Sequence, residues 1–463
     1  MSLFGILGVG ANGMTAQGYA SGVASNNASN VNTVGYSRRM AQLEPIEGPP
    51  GFGLGARANG QRRVIDQFLE RRVLGGSSSS GEADARASAL SILDATFSDA
   101  AGNLGDAMDA LTTALGDLSS YPAEPGARVT VLARAEQMAQ AFNRAGDDLA
   151  TARADVNERI AKQVGQVNSQ IEQIADLGRK ISKAEVSGQE ASDLRDKRDQ
   201  LVRQVANFVP VKVIPEENGQ ISLLLAGSLP LVSPDGTAHP LTTVTDATSG
   251  DMLIQQVVAG APRDIGSLIT SGSIGGLIAA RDGGLTTARD SLDQLAFDTA
   301  AGYNTAHNAG FGLDGVGARN LFTPVATVPG AAQNFSLSVD VAGNADALAA
   351  AGDAAAMPGD NIGALALLAV ADQDLALGGT ATLGEGFAAL LATSGSDVQS
   401  ALVDQDQAEA VRAQLDSLRE SVSGVSTDEE MVSLMRFQRG YQASLKVVQT
   451  ANEMLGELMN LKR

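Results

Sequence analysis

Few residues in this chain are spaced for chemistry. The most suggestive string is Gly8-Val-Gly10-Ala-Asn-Gly13, which follows a short apolar stretch and matches the G-x-G-x-x-G pattern of dinucleotide phosphate loops. Such a loop works because a strand feeds a helix whose free amides meet a pyrophosphate, with an acidic residue roughly 20 positions further on to hold the ribose. Here that stretch reads Ser29-Asn-Val-Asn-Thr-Val-Gly35 and the next acid is Glu44, so no cofactor is expected. His239 and His307 lie far apart in the chain and read as surface or helix-end residues rather than metal ligands. Asp193, Asp196 and Asp199 recur at i, i+3 on one helix, but Arg195, Lys197 and Arg198 alternate with them, the pattern of a solvated mixed-charge face. Asp314-Gly-Val-Gly does not continue into a calcium loop. The chain has no cysteine, which excludes disulfides, thiol catalysis and Cys-ligated metals. The reading is therefore no catalytic residue, no cofactor, no metal and no enzyme.

The composition points to a helical chain. Of 463 residues, 44% are hydrophobic but only 4% aromatic, with no Trp. Apolar content carried by Ala, Leu and Val favours long helices packed through small side chains. The net charge of −20, from 33 basic and 53 acidic residues, would be repelled by nucleic acid and by anionic membranes. The pairs Arg38–Arg39, Arg62–Arg63 and Arg71–Arg72 read as solvated mixed-sign surface. No Lys or Arg precedes the apolar stretch 3–9, so no cleaved signal peptide is expected. No apolar run reaches the roughly 18 residues of a membrane span.

Positioning thus falls to helices. Residues 1–32 carry the stripe Ile6, Val9, Gly13, Ala16, Ala20, Val23, interrupted by six glycines between Gly5 and Gly22. At about 1 kcal/mol each relative to Ala, these weaken an isolated helix. Residues 33–65 read as irregular. Helices are expected over 66–74 and, after a Ser/Gly turn at 75–81, over 82–118. The strongest signal is the alternating spacing of three and four from Leu132 through Phe142, Leu149, Val156, Ile160, Val167 and Ile174 to Ala184, a long coiled-coil-like helix. A shorter helix follows at 191–208. Strand-like runs at 209–214, 221–226 and 229–232 are punctuated by Asn218-Gly219 and Asp235-Gly236, a hairpin signal. Residues 274–308 read as one helix, and Phe335, Leu337, Val339 and Val341 as an alternating strand. Near the C-terminus the stripe Val411, Leu415, Leu418, Val422, Val425 is out of phase with Met431, Leu434, Gln438, Tyr441, Leu445, Val448, Asn452, Leu455, Met459. Gly424 interrupts the helix there, and Thr427-Asp428-Glu429-Glu430 reads as the capping box of the next one.

The fold class these elements imply is mainly α with a β-rich outer part. Segments 1–32 and 428–463 would pair in a coiled-coil-like assembly domain. Segments 33–208, 273–310 and 361–427 would form a long-helix bundle, with 209–272 and 311–360 as an inserted β-rich region. Neither terminal segment has a partner nearby in sequence, so both are expected to order only when neighbouring subunits arrive. The residues expected at that interface are Ile6, Val9, Ala16, Ala20 and Val23 at one end and Met431, Leu434, Tyr441, Leu445, Val448, Leu455 and Met459 at the other.

Two terminal motifs carry a resemblance. Ser25-Asn26-Asn27-Ala-Ser-Asn30-Val-Asn32-Thr-Val-Gly35-Tyr36-Ser37 closely resembles the N-terminal signature of the flagellar axial family of rod, hook and hook-associated proteins. The tail Asp428-Glu429-Glu430-Met-Val-Ser-Leu-Met-Arg-Phe-Gln438-Arg-Gly-Tyr-Gln-Ala is similar to that family's C-terminal signature. The middle segments 118–128, 194–201, 275–282 and 303–308 resemble the hook-associated protein 1 branch. Val34 stands where the family usually has Pro. The resemblance implies a structural subunit of a ring between hook and filament, exported by the flagellar type III apparatus and located outside the cell. It implies as partners further copies of the chain, the hook protein, a second junction protein, and an export chaperone at the C-terminal helix. A hook or distal-rod protein is the nearest alternative, and an enzyme on a helical scaffold the alternative from another class.

Overall fold

A computed structural model describes residues 2–48, 53–98, 103–258 and 260–461. Its longest element is α4 (Pro125–Ala184), 60 residues with Pro in its first turn. The three-and-four stripe predicted from 132 to 184 is its buried face: Phe142, Leu149, Ile160, Val167, Ile174 and Ile181 are fully enclosed. Around it pack α2 (Gln67–Ser98), α3 (Leu104–Ser120), α5 (Ser192–Phe208), α6 (Gly272–Ala280), α7 (Thr286–Asn308), α8 (Ile362–Leu368) and α9 (Leu383–Ser423) in one continuous hydrophobic core.

Several expected elements differ. The Ser/Gly turn at 75–81 does not exist: α2 runs straight through it. Its small residues bring other helices close, since a Cβ at Gly76 would lie 2.7 Å from Leu415 and one at Gly81 2.2 Å from the Asn207 carbonyl oxygen. Contact with α9 and α5 outweighs the poor helix propensity of this run. The 274–308 helix is broken by a π-helical turn at Arg281–Leu285, clamped by Arg153, which donates to the Arg281 carbonyl and pairs with Asp251.

Three hairpin-based sheets complete the chain. β1 (Arg39–Pro45) and β2 (Ala56–Arg63) pair within the segment read as irregular. β3 (Val211–Pro215), β4 (Ile221–Leu225) and β5 (Leu229–Val232) match the predicted strand runs, with Gly219 at φ +78° in the turn. β6 (Leu241–Thr245), β7 (Met252–Val258) and β8 (Ala261–Asp264) form a third antiparallel sheet. Residues 311–360 contain no extended strand among the described residues. The expected 335–341 strand is a single bridge, Phe322 to Leu337, with Val339 exposed. This segment is an irregular cover bound to the bundle. Phe335 stacks on Phe142, Asn143 donates to the Ala332 and Phe335 carbonyls, and buried Arg128 donates to the Leu348 carbonyl.

His307, expected at a surface or helix end, sits in the last turn of α7 but is fully buried beneath that cover. Its Nδ1–H donates to the Arg319 carbonyl and its Nε2 accepts from the Ala349 amide. Burial holds its pKa below the ordinary 6.5. The unfolded chain therefore binds the proton more readily. The stabilisation is complete above about pH 6.5 and is lost as pH falls below it toward the depressed folded value. Denaturation curves from pH 7.5 down to 5.5 should show stability falling by up to about 1.4 kcal/mol per pH unit from this group. That component should vanish in His307→Gln.

Candidate functional site

The chain ends meet in an antiparallel helix pair, α1 (Leu3–Ser29) and α10 (Thr427–Leu461). The pairing of segments 1–32 and 428–463 expected from the sequence is thus present, and within a single chain. The seam runs through small residues. A Cβ at Gly10 would lie 2.6 Å from Val448, one at Gly13 2.6 Å from Ser444, and one at Gly440 2.8 Å from Gln17. Ala16, Ala20, Val23 and Ala24 are buried along α1, and Ala451 on α10. Two of the glycines that weaken α1 in isolation therefore allow the backbones to close, and tertiary contact restores the helix. The same placement removes the phosphate-loop reading, because Gly8, Gly10 and Gly13 are mid-helix.

Of the residues predicted for an assembly interface, Ile6, Val9, Leu434, Val448 and Leu455 are half-buried along this pair, while Met431, Tyr441, Leu445 and Met459 remain exposed. The face that α10 turns to α1 includes Glu430, Gly440, Ser444, Val448 and Ala451. It is partly rotated from the apolar stripe read in the sequence, because the closest approach uses small side chains.

At the end of the pair, the two family signatures converge. Asn27 is the hub. Its Nδ2 donates to the Arg39 carbonyl at 2.8 Å and to Glu430 Oε2 at 3.1 Å, while its Oδ1 accepts from the Arg39 amide and the Tyr36 hydroxyl. Asn26 Oδ1 also accepts from Tyr36. Burial pushes the Tyr36 pKa up to about 12, against the pull of Arg39, so its hydroxyl keeps the proton it donates. Arg38 pairs with Glu429 and Glu430, each at 2.7 Å. Glu430 therefore does not close the capping box expected at 427–430. Such a box is found instead at α9, between Thr382 and Glu385. Asn30 caps α1, and Gly35 takes φ +84° beside Gln200. Ser37 is buried, its amide 3.5 Å from Asp196. Ser25, Asn32, Asp428 and Gln438 are exposed and stand outside the cluster.

The acids of α5 join this cluster to the body. Arg39 and Arg63 face each other across the β1–β2 register, a repulsive placement. Asp196 lies between them, one oxygen accepting from Arg39 at 3.1 Å and the other from Arg63 at 2.9 Å. Asp193 accepts from Arg39, and Asp199 and Glu190 from Arg63. Burial disfavours the Arg63 charge, but Asp199 and Asp196 more than offset this and hold its pKa above the ordinary value. Burial would likewise raise Asp199, yet Arg198 and Arg63 keep it below the usual carboxylate range. The solvated faces expected for Asp193–Asp199 and for Arg38–Arg39 and Arg62–Arg63 are thus largely a buried ionic joint. Of these, Arg62, Asp193 and Lys197 remain exposed. Nothing in the local spacing marked it, because its partners lie more than 125 residues apart.

The stretch 90–322 matches the family model described as the flagellar hook-associated protein FlgK helical domain. That is just over half of the chain. The chain belongs to the FlgK family. A second model, flagellar basal body rod FlgEFG protein C-terminal, matches 419–461. Flagellar hook-associated protein 1 of Escherichia coli K12 is 27% identical over 97% of this chain and 98% of its own length. Its counterpart in Bacillus subtilis 168 is 26% identical, covering 96% of each. The flagellar hook junction protein FlgK from Burkholderia pseudomallei has the same fold at TM-score 0.68 and 17% identity, covering 76% of this chain and 100% of that one. FlgK membership makes this chain a flagellar structural protein of mainly helical fold with small antiparallel sheets. FlgK is not an enzyme family, and no described helix is long and apolar enough to cross a membrane.

Proposed function

We propose that this chain forms the ring joining the flagellar hook to the filament and reaches that position outside the cell through the flagellar type III export apparatus. The observation that carries the reading is the convergence of both terminal signatures on one joint between the α1–α10 pair and the helical body. A tube-forming subunit needs its two ends paired and firmly oriented on the rest of the chain, and Asn27, Arg38 and Glu430 do that here. Export with segment 1–32 retained follows from the same geometry, since its removal would take away half of the pair. The exposed Met431, Tyr441, Leu445 and Met459 supply apolar surface for neighbouring copies, for the hook protein and second junction protein above and below, and for an export chaperone gripping the C-terminal helix. Deleting the gene should leave hooks without filaments and flagellin shed into the medium. Normal filaments in the deletion strain would contradict the reading.

A further inference from the structure

Beside the ionic joint is a cavity of about 510 Å³ between the β1–β2 hairpin, the start of α2, α5 and the β3–β4 hairpin, within the roughly 300–1,000 Å³ span of ligand-sized clefts. Leu74, Val202, Val213 and Ile221 line it, and Arg62 and Arg71 stand at its edge. Neither arginine has a carboxylate partner among the described residues; Arg71 lies over the Phe68 ring, 5.8 Å from its centroid. Phe68 is 62% exposed and Met40, which also lines the cavity, is 55% exposed. Arginine, aromatic and methionine side chains around an apolar recess are the composition of a protein-binding hot spot. In the cavity wall, buried Gln220 Oε1 has no donor, leaving a place for an incoming N–H.

A complementary surface exists elsewhere on the chain. The outer face of α10's start presents Asp428, Met431, Val432 and Met435, all exposed. It is an acid-headed apolar stripe, and the first amides of a helix lack intrahelical partners. We infer that the cleft edged by Arg62 and Arg71 receives the first turns of α10 from a second copy of this chain. At net charge −20 identical copies repel one another, so a contact between them needs exposed cations set against acids, and this cleft supplies two. The hairpin also sets the level. Arg38 ties α10's first turn to β1, and Met40 pairs with Arg62 in the adjoining register. Cleft and stripe thus lie at about the same level of the molecule, as side-by-side copies in a ring require. The contact is heterologous, one patch meeting a different one, and so propagates head to tail, as a ring requires, rather than stopping at a two-fold dimer.

This inference rests on the junction-ring reading, and the test separates the two. Because the chain has no cysteine, Arg71→Cys with Asp428→Cys in one chain creates a unique pair. Mild oxidation of isolated hook–filament complexes should yield disulfide-linked multimers beyond the dimer, and neither single variant should. Separately, Arg71→Glu should lower incorporation at the hook tip about tenfold, the effect of roughly 1.4 kcal/mol, and Asp428→Arg in the same chain should restore it. Both variants should melt like the parent. Only monomers from a double-cysteine chain that immunolabelling finds at the hook tip would overturn the contact. Absence of the unaltered chain from the hook tip would instead defeat the junction reading.

Discussion

Asp196→Ala should destabilise the folded chain by about 3–5 kcal/mol, the cost of removing one partner from a buried ion pair. Asp196 is itself buried and divides its two oxygens between Arg39 and Arg63. Without it, two largely buried guanidinium groups confront each other across the hairpin register. Asp199 and Glu190 still hold Arg63, whereas the one carboxylate left to Arg39 among the described residues is Asp193, whose side chain is 78% exposed. Asp193→Ala is the control. Its pairing with Arg39 is open to solvent on the acid's side, so its loss should cost no more than about 1 kcal/mol. Denaturant unfolding of the two variants measures the difference. Equal stabilities would mean that the joint carries no special load. The same experiment read by limited proteolysis should show earlier cleavage between α1 and α2 in Asp196→Ala, because the joint holds the hairpin onto α5.

Leu149→Ala and Leu445→Ala should fail in different ways. Leu149 is fully enclosed in the core on α4, and its truncation should cost about 2–5 kcal/mol in the folding of the single chain. Leu445 is 38% exposed beside the α1–α10 seam, so part of its surface is covered within the chain and the rest is left for neighbouring subunits. Truncating it should lower the monomer's melting transition less than Leu149→Ala does and weaken assembly in addition, the two losses together reaching about 2–5 kcal/mol if the site is fully covered in the ring and cannot collapse. Melting of the purified chains and their incorporation at hook tips separate the two. An unaltered assembly of Leu445→Ala would show that this face of α10 meets no neighbour.

Much of the architecture was legible in the residues alone. The α4 stripe needs no tertiary information, because a repeat of three and four places its apolar side chains on one face whatever they meet. The strands at 211–232 were marked by Asn218-Gly219, a turn whose backbone requirement is local. The terminal motifs Asn26-Asn27 and Glu429-Glu430 indicated the family for the same reason, as fixed strings of residue types. What the tertiary structure alone decided was what those residues do. Gly10, Gly13 and the 75–81 run read as helix breakers, and only the approach of α10, α9 and α5 makes their missing side chains favourable. Asp196, Arg39 and Arg63 read as solvated charge, and only the β1–β2 hairpin folding onto α5 encloses them. The division follows from range: periodicity and turn chemistry act over a few residues. Close helix contact and charge burial depend on groups brought together from more than 125 positions away, whose pairing no local pattern encodes.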